Sequence, residues 1–155
     1  METITYNLLI VIGTFLGMEV VAWFTHKYVM HGFLWALHKD HHNKEGSDFF
    51  EHNDFFFLIF ALPGILGLLI GTINNYNLFF WIGLGITCYG FTYFFVHDIF
   101  IHQRFSFLRK SENPYLRAVL KAHRVHHKYL QKQKGECFGL LWIPLKYFPN
   151  KTPLK

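Results

Sequence analysis

Residues 4–42 read ITYNLLIVIGTFLGMEVVAWFTHKYVMHGFLWALHKDHH, an apolar run of twenty-one residues that leads directly into five histidines. A helix needs ~20 mostly apolar residues to cross the hydrocarbon of a bilayer, and residues 4–24 supply them. Histidine is the commonest metal ligand and changes charge near neutral pH. The stretch therefore predicts a membrane helix that delivers imidazoles to its end. The histidine pattern then repeats. His26 and His31 form HxxxxH, and His38, His41 and His42 form HxxHH; further on, His97 and His102 form HxxxxH, and His123, His126 and His127 form HxxHH. Ten of the eleven histidines belong to this doubled pattern.

The rest of the chain fits the same frame. At 155 residues it suits a single domain, and its 52% hydrophobic and 20% aromatic content is high for a soluble one. Two more windows, 55–73 and 78–96, are apolar enough to span. The expected fold is all-α, a multi-pass membrane protein with three or four membrane helices and stretches 26–54 and 97–155 outside them. The glycines within the spans (Gly13 and Gly17; Gly64, Gly67 and Gly71; Gly83, Gly85 and Gly90) suit close helix packing in lipid.

All fifteen Lys and Arg lie between spans one and two (Lys27, Lys39, Lys44) or after span three. The positive-inside rule then places the N-terminus outside and both long polar stretches in the cytoplasm. All four histidine clusters fall on that one side, so two independent signals agree. In a bacterium the membrane would be the inner one. The basic balance is explained by proximity to anionic lipid, so nucleic-acid binding is not called for. No signal-peptide pattern precedes the first span, which is expected to stay as an anchor. Cys88, inside a span, and Cys137, outside, are not placed to pair.

Positions i, i+3 and i+4 share a helix face, so each HxxHH triplet can present three imidazoles together. Residues 113–130 show it well: Asn113 suits an N-cap and Pro114 the first helical position. Leu116, Leu120, His123 and His127 would form the inward stripe, with Arg117, Lys121, Arg124 and Lys128 opposite. In the first half, His31, Trp35, His38 and His42 share a face if the helix continues through Gly32. HxxxxH is different, because five residues turn an α-helix by ~500° and leave the pair ~140° apart. It calls for a helix break or for a metal pair lying between helices.

Ten ligands shared by two metals give five each and leave one octahedral position open. That suits an oxygen-activating metal such as non-haem iron, with zinc, copper and manganese left open. Ligating imidazoles usually donate their other N–H to a carboxylate or carbonyl; Asp40, Asp98, Glu51 and Asp54 are the local candidates. His52 falls outside the pattern and reads as interfacial. Glu19 lies mid-span, two turns above His26, where an ionisable group is costly and often functional. It could line a substrate or proton path, or hydrogen-bond a Thr or Tyr between helices.

These clusters, with His26-Lys27-Tyr28-Val29-Met30-His31-Gly32, His97-Asp98, His102-Gln103-Arg104 and Gly135-Glu136-Cys137-Phe138-Gly139, resemble bacterial β-carotene hydroxylases. These belong to the fatty acid hydroxylase/sterol desaturase superfamily of membrane non-haem di-iron enzymes. The likeness extends over residues 23–147; Ile99-Phe100-Ile101 departs from it, since a small residue is expected after the Asp. The resemblance implies hydroxylation of the β-ionone ring at carbon 3, from β-carotene through β-cryptoxanthin to zeaxanthin. It also implies two non-haem Fe ions bound by the ten histidines, and O2 as co-substrate. The chain carries no dinucleotide, haem-attachment or iron–sulfur motif, so electrons are expected from an external ferredoxin-type donor, with the basic stripe as its docking face. The alternatives are a ketolase or a hydroxylase or desaturase of another lipid, and a histidine-rich metal transporter or sensor without enzymatic activity.

Overall fold

The computed structural model describes residues 2–43, 50–104, 111–130 and 135–149. Parts of the expected 26–54 and 97–155 stretches, Lys44 included, lie outside the described residues. Five α-helices carry the fold: α1 (Glu2–Phe24), α2 (Trp35–His42), α3 (Phe55–Ile73), α4 (Leu78–Tyr93) and α5 (Pro114–Lys128). No strand occurs among the described residues, and the protein is all-helical. Three helices are long and apolar enough to cross a membrane, and they run longer than the apolar windows: Thr3–Phe33, His52–Ile73 and Leu78–Ile101. Their outer faces carry exposed large apolar residues such as Ile4, Leu9, Phe57, Ile65 and Phe91. Such a belt is suited to lipid and would be a liability in water.

The spans are joined by backbone contact more than by buried side chains. Helix α4 sits in the middle, packing on α3 by one face and on α1 by another. A Cβ at Gly83 would lie 2.5 Å from Leu68 N on α3, and one at Gly85 would lie 2.7 Å from Thr14 Cβ on α1. Small residues on both faces let three backbones approach closely, the favoured mode of association in lipid. Gly13, Gly17 and Gly90 meet nothing within 4 Å, so the expected glycine packing holds at only some positions. Pro63 is accommodated within α3, as membrane helices tolerate.

The turn between α3 and α4 holds Asn75 and Tyr76 at φ 55° and 56°. Tyr76 N–H caps Gly71 O (2.8 Å), and the Trp81 indole donates to Tyr76 O (3.0 Å). Helix α5 begins as its sequence predicts, with Asn113 Oδ1 accepting from Tyr115 N and Leu116 N and Pro114 at the first position. Its buried face is Ala118, Val119, Ala122, His123 and His126, a rotation from the expected Leu116–Leu120–His127 stripe. Ala118 and Ala122 pack with Tyr147 into a small apolar core beside the histidines.

Gly83→Val is expected to pry α3 from α4, because its side chain meets backbone that cannot move aside. Overpacking of this kind destabilises by about 1–3 kcal/mol. A thermal melt in detergent should show a lower midpoint than the parent protein; an unchanged midpoint would contradict the backbone-contact account.

Candidate metal centre

Three of the four HxxxxH histidines sit in π-helical segments, Thr25–Phe33 and Phe94–Ile101, and His102 caps the end of the second. A π-helix bonds residue i to i+5 instead of i+4. His102 N–H donates to His97 O (2.9 Å) and Leu34 N–H to Val29 O (3.0 Å). Five residues is also the ligand spacing, so both imidazoles of a pair come to one side. The ring centroids are 5.1 Å apart for His26 and His31 and 4.6 Å for His97 and His102. The repeated five-residue interval was the available signal for this winding. The condition set for a shared face of His31, Trp35, His38 and His42, a helix continuing through Gly32, is not met: that residue is non-helical (φ −114°, ψ −123°), and α2 restarts at Trp35.

These breaks fold nine of the ten patterned histidines into two groups. His26, His31, His38, His42 and His126 form one; His41, His97, His102 and His123 form the other, each with one nitrogen per residue within 4.8 Å of the rest. That spread approaches what a single ion with bonds of ~2.1 Å requires. Each group is built mainly from one half of the chain and borrows the middle residue of the other half's HxxHH. His127 stands between them, its ring 4.3 Å from His42 and 4.5 Å from His123. His52 stays apart, 78% exposed by its side chain.

The hydrogen bonds around the first group settle which nitrogens face inward. His26 Nδ1–H donates to Phe138 O (2.9 Å), His31 Nδ1–H to Leu130 O (2.9 Å), His38 Nδ1–H to Asn53 Oδ1 (2.6 Å) and His126 Nδ1–H to Glu136 O (3.1 Å). In a neutral imidazole the other nitrogen then carries only a lone pair. Yet His26 and His38 bring Nε2 atoms to 3.1 Å, and His31 and His126 to 3.2 Å. Two lone pairs at that separation repel unless a cation lies between them. In the second group His41 Nε2 and both ring nitrogens of His97 are buried without a hydrogen-bond partner, as is Nε2 of His127. Convergent, buried nitrogen donors fit a bound transition metal.

The expected acidic partners divide. Glu51 Oε2 accepts from His41 Nδ1 (2.9 Å), and Asp98 lies 3.5 Å from His97 Nδ1. Asp40 is instead engaged by His52, through its backbone N–H (2.6 Å) and its Nδ1 (2.9 Å). Asp54 receives Arg104 Nη1 (3.0 Å). Arg104 also reaches Asp98 through Nε (3.2 Å) and Glu51 through Nη2 (3.5 Å), so one guanidinium holds both the acid bonded to His41 and the acid beside His97. The sequence reading missed Asn53, Arg104 and the three carbonyls. Backbone oxygens carry no residue-type signal, although Asn53 sits between two acids it did name.

A cavity of about 430 Å³ lies between α1, α3 and α4 and reaches His26 and His97, one residue from each group. That volume is within the usual range for small-molecule sites, ~300–1,000 Å³. Met18, Ala22, Phe60, Ala61, Ile86 and Gly90 are among its apolar walls. Helices α1 and α3 flank it without packing closely on each other.

A family model for fatty acid hydroxylase matches residues 11–145. The chain belongs to the fatty acid hydroxylase family. It is 42% identical over 140 residues to a β-carotene hydroxylase of Pantoea ananas, covering 90% of this chain and 78% of that protein. It is 38% identical over 139 residues to a β-carotene hydroxylase of a Paracoccus species, covering 89% of this chain and 85% of that protein. A chloroplastic β-carotene 3-hydroxylase of Arabidopsis thaliana is 41% identical over 137 residues, 86% of this chain and 44% of the plant protein. No solved structure matches the chain.

In this family member burial is the largest force on the imidazoles outside the spans. It lowers His38 to about 3 against the pull of Asn53, and lowers His126 to about 2 and His127 to about 4 with help from neighbouring imidazoles. His41 and His123 are lowered well below their ordinary value for the same two reasons. The sign follows. Above pH 6.5 folded and unfolded chains are both neutral here; below it the unfolded chain takes up protons that the folded one refuses, so stability falls with pH. The fall should continue through about 4 for His127 and about 3 for His38. Metal-free protein is therefore expected to melt at a lower temperature near pH ~5 than near pH ~7.5. Equal midpoints would contradict the buried, neutral imidazoles.

Proposed function

We propose that this chain hydroxylates carotenoid β-rings at carbon 3, taking β-carotene through β-cryptoxanthin to zeaxanthin at a pair of non-haem irons. The observation that carries the reading is the apolar cavity among the spans that ends on one histidine from each metal group. The β-carotene hydroxylase relatives supply the substrate class.

His26, His31, His38, His42 and His126 would hold one iron, and His41, His97, His102 and His123 the other. Matching the two HxxHH triplets pairs His42 with His127, which makes His127 the fifth residue of the second set. Bound irons supply the reduction of dioxygen that puts one oxygen into a ring C–H bond and releases the other as water, using two external electrons and two protons. The chain's own residues do the positioning. Outward Nδ1–H bonds fix tautomer and ring plane, as outer partners of metal-bound histidines do. The cavity admits a β-ring sideways from lipid between α1 and α3, while the polyene stays among acyl chains. Its apolar walls keep water from the reacting carbon. Asp98 and Glu51, held by Arg104, keep the second set in register.

Electrons come from a ferredoxin-type donor on the cytoplasmic face, with the N-terminus across the membrane. Arg117, Lys121, Arg124 and Lys128 are all exposed on α5, whose buried face carries His123 and His126. A docked acidic donor would thus be separated from the centre by about one helix diameter, ~10 Å. Electrostatic complementarity of this kind acts mainly on encounter.

Expression in cells that accumulate β-carotene, followed by pigment chromatography, is the direct test. β-Cryptoxanthin and then zeaxanthin should appear, and His38→Ala should abolish both. Ketolated pigment alone, or no new pigment from folded protein, would contradict the assignment. In a reconstituted assay, Lys121→Glu with Arg124→Glu should raise the donor concentration for half-maximal rate by about tenfold at low salt. Iron content should stay unchanged. Unaltered donor dependence would move the docking face elsewhere.

A further inference from the structure

Glu19 is buried mid-span, 6% exposed, and its two oxygens do separate things. Oε2 accepts the Tyr89 hydroxyl across to α4 (2.7 Å). Oε1 accepts three consecutive backbone N–H groups, from Leu140 (2.8 Å), Leu141 (2.8 Å) and Trp142 (3.0 Å). Those residues are non-helical and sit beside α1 seven residues before His26, which is ~10 Å along the helix. Backbone without helical bonds is tolerated at such depth only where protein groups meet it. The carboxylate meets it, and Trp142 points outward at 78% exposure.

The same strap makes two of the four outer hydrogen bonds of the first histidine group. Phe138 O takes His26 Nδ1–H and Glu136 O takes His126 Nδ1–H. The Phe138 ring stands 5.6 Å from His26, 5.2 Å from His31 and 5.1 Å from His126. Between these two carbonyls Cys137 is held at φ 59°, a left-handed conformation that a non-glycine residue keeps only when its surroundings enforce it. Gly139 lies under the carboxylate, where a Cβ would come within 2.6 Å of Glu19 Oε1. In the second group His41 is bonded to Glu51 instead, and Asp98 lies beside His97.

We propose that Glu19 is a positioning residue for the first metal site, its carboxylate clasping the backbone of 140–142 so that Phe138 O and Glu136 O orient His26 and His126. The proposal rests on the two-metal reading of the histidines. It makes the dependence one-sided: loss of the clasp loosens the His26–His126 group and spares the His41–His123 group.

Cobalt(II) titration of the purified, detergent-solubilised chain reads this by absorption and by metal content. The parent protein should bind about two ions per chain. Glu19→Leu should keep one site and weaken the other by about 10- to 100-fold, the usual effect of removing an outer partner. Glu19→Gln, which keeps one oxygen for the three N–H groups, should recover much of that loss. Gly139→Ala should reproduce the defect with Glu19 intact, and it carries the test if Glu19→Leu does not fold. Two full-affinity sites in Glu19→Leu or, failing that, in Gly139→Ala overturn the proposal, as does equal weakening of both sites. A parent protein that takes up no metal instead brings down the two-metal reading on which it rests.

Discussion

Neutral imidazoles whose Nδ1–H groups are committed outward have only lone pairs left to point inward, and in this molecule they point at one another. His26 faces His38 and His31 faces His126 at separations suited to hydrogen bonds, with no proton available to make them. Burial keeps protons away as well, since it drives the imidazoles outside the spans far below their ordinary range. A cation is the group that turns this repulsion into binding. The rest of the structure can be understood as what is needed to hold such an arrangement together.

Seen that way, the spans are scaffolding as much as anchor. Helix α4 joins α1 and α3 by backbone contact at Gly83 and Gly85, which fixes where the two π-helical segments emerge. Those segments present His26, His31 and His97, with His102 immediately after the second. Helices α2 and α5 then bring in the two HxxHH triplets, each lending its middle histidine to the other's group. The exchange ties the halves of the chain together through the site itself, so metal bound there would be coupled to folding, as is general where the unfolded chain holds no preformed ligand set. The cavity uses the remaining side of the bundle, where α1 and α3 stand apart.

Much of this was legible in the residues because it depends on side-chain identity and spacing. Apolar length gave the three spans, Asn113-Pro114 gave the start of α5, and the doubled pattern gave the ten clustered histidines. What the sequence concealed depends on backbone. The HxxxxH spacing looked like a conflict because an α-helical ladder was assumed; a π-helical ladder removes it. Gly32 breaks a helix that side-chain periodicity carries straight through. Three of the four outer partners in the first group are carbonyls, which every residue possesses. Glu19 stood out as an ionisable group mid-span, and a bond to a tyrosine was one of the readings offered for it. Its larger role, three backbone N–H groups from a segment over 120 residues away, has no signature at Glu19 itself.

The central claim is that two irons sit among imidazoles in the folded chain. Iron-edge X-ray absorption on protein purified without added chelator, paired with metal quantitation, tests it most directly. The account predicts about two irons per chain, each in a shell of nitrogen and oxygen scatterers at roughly 2.0–2.2 Å with the multiple-scattering signature of imidazole. Sulfur in that shell, or folded protein that takes up no iron when iron is supplied, would contradict it.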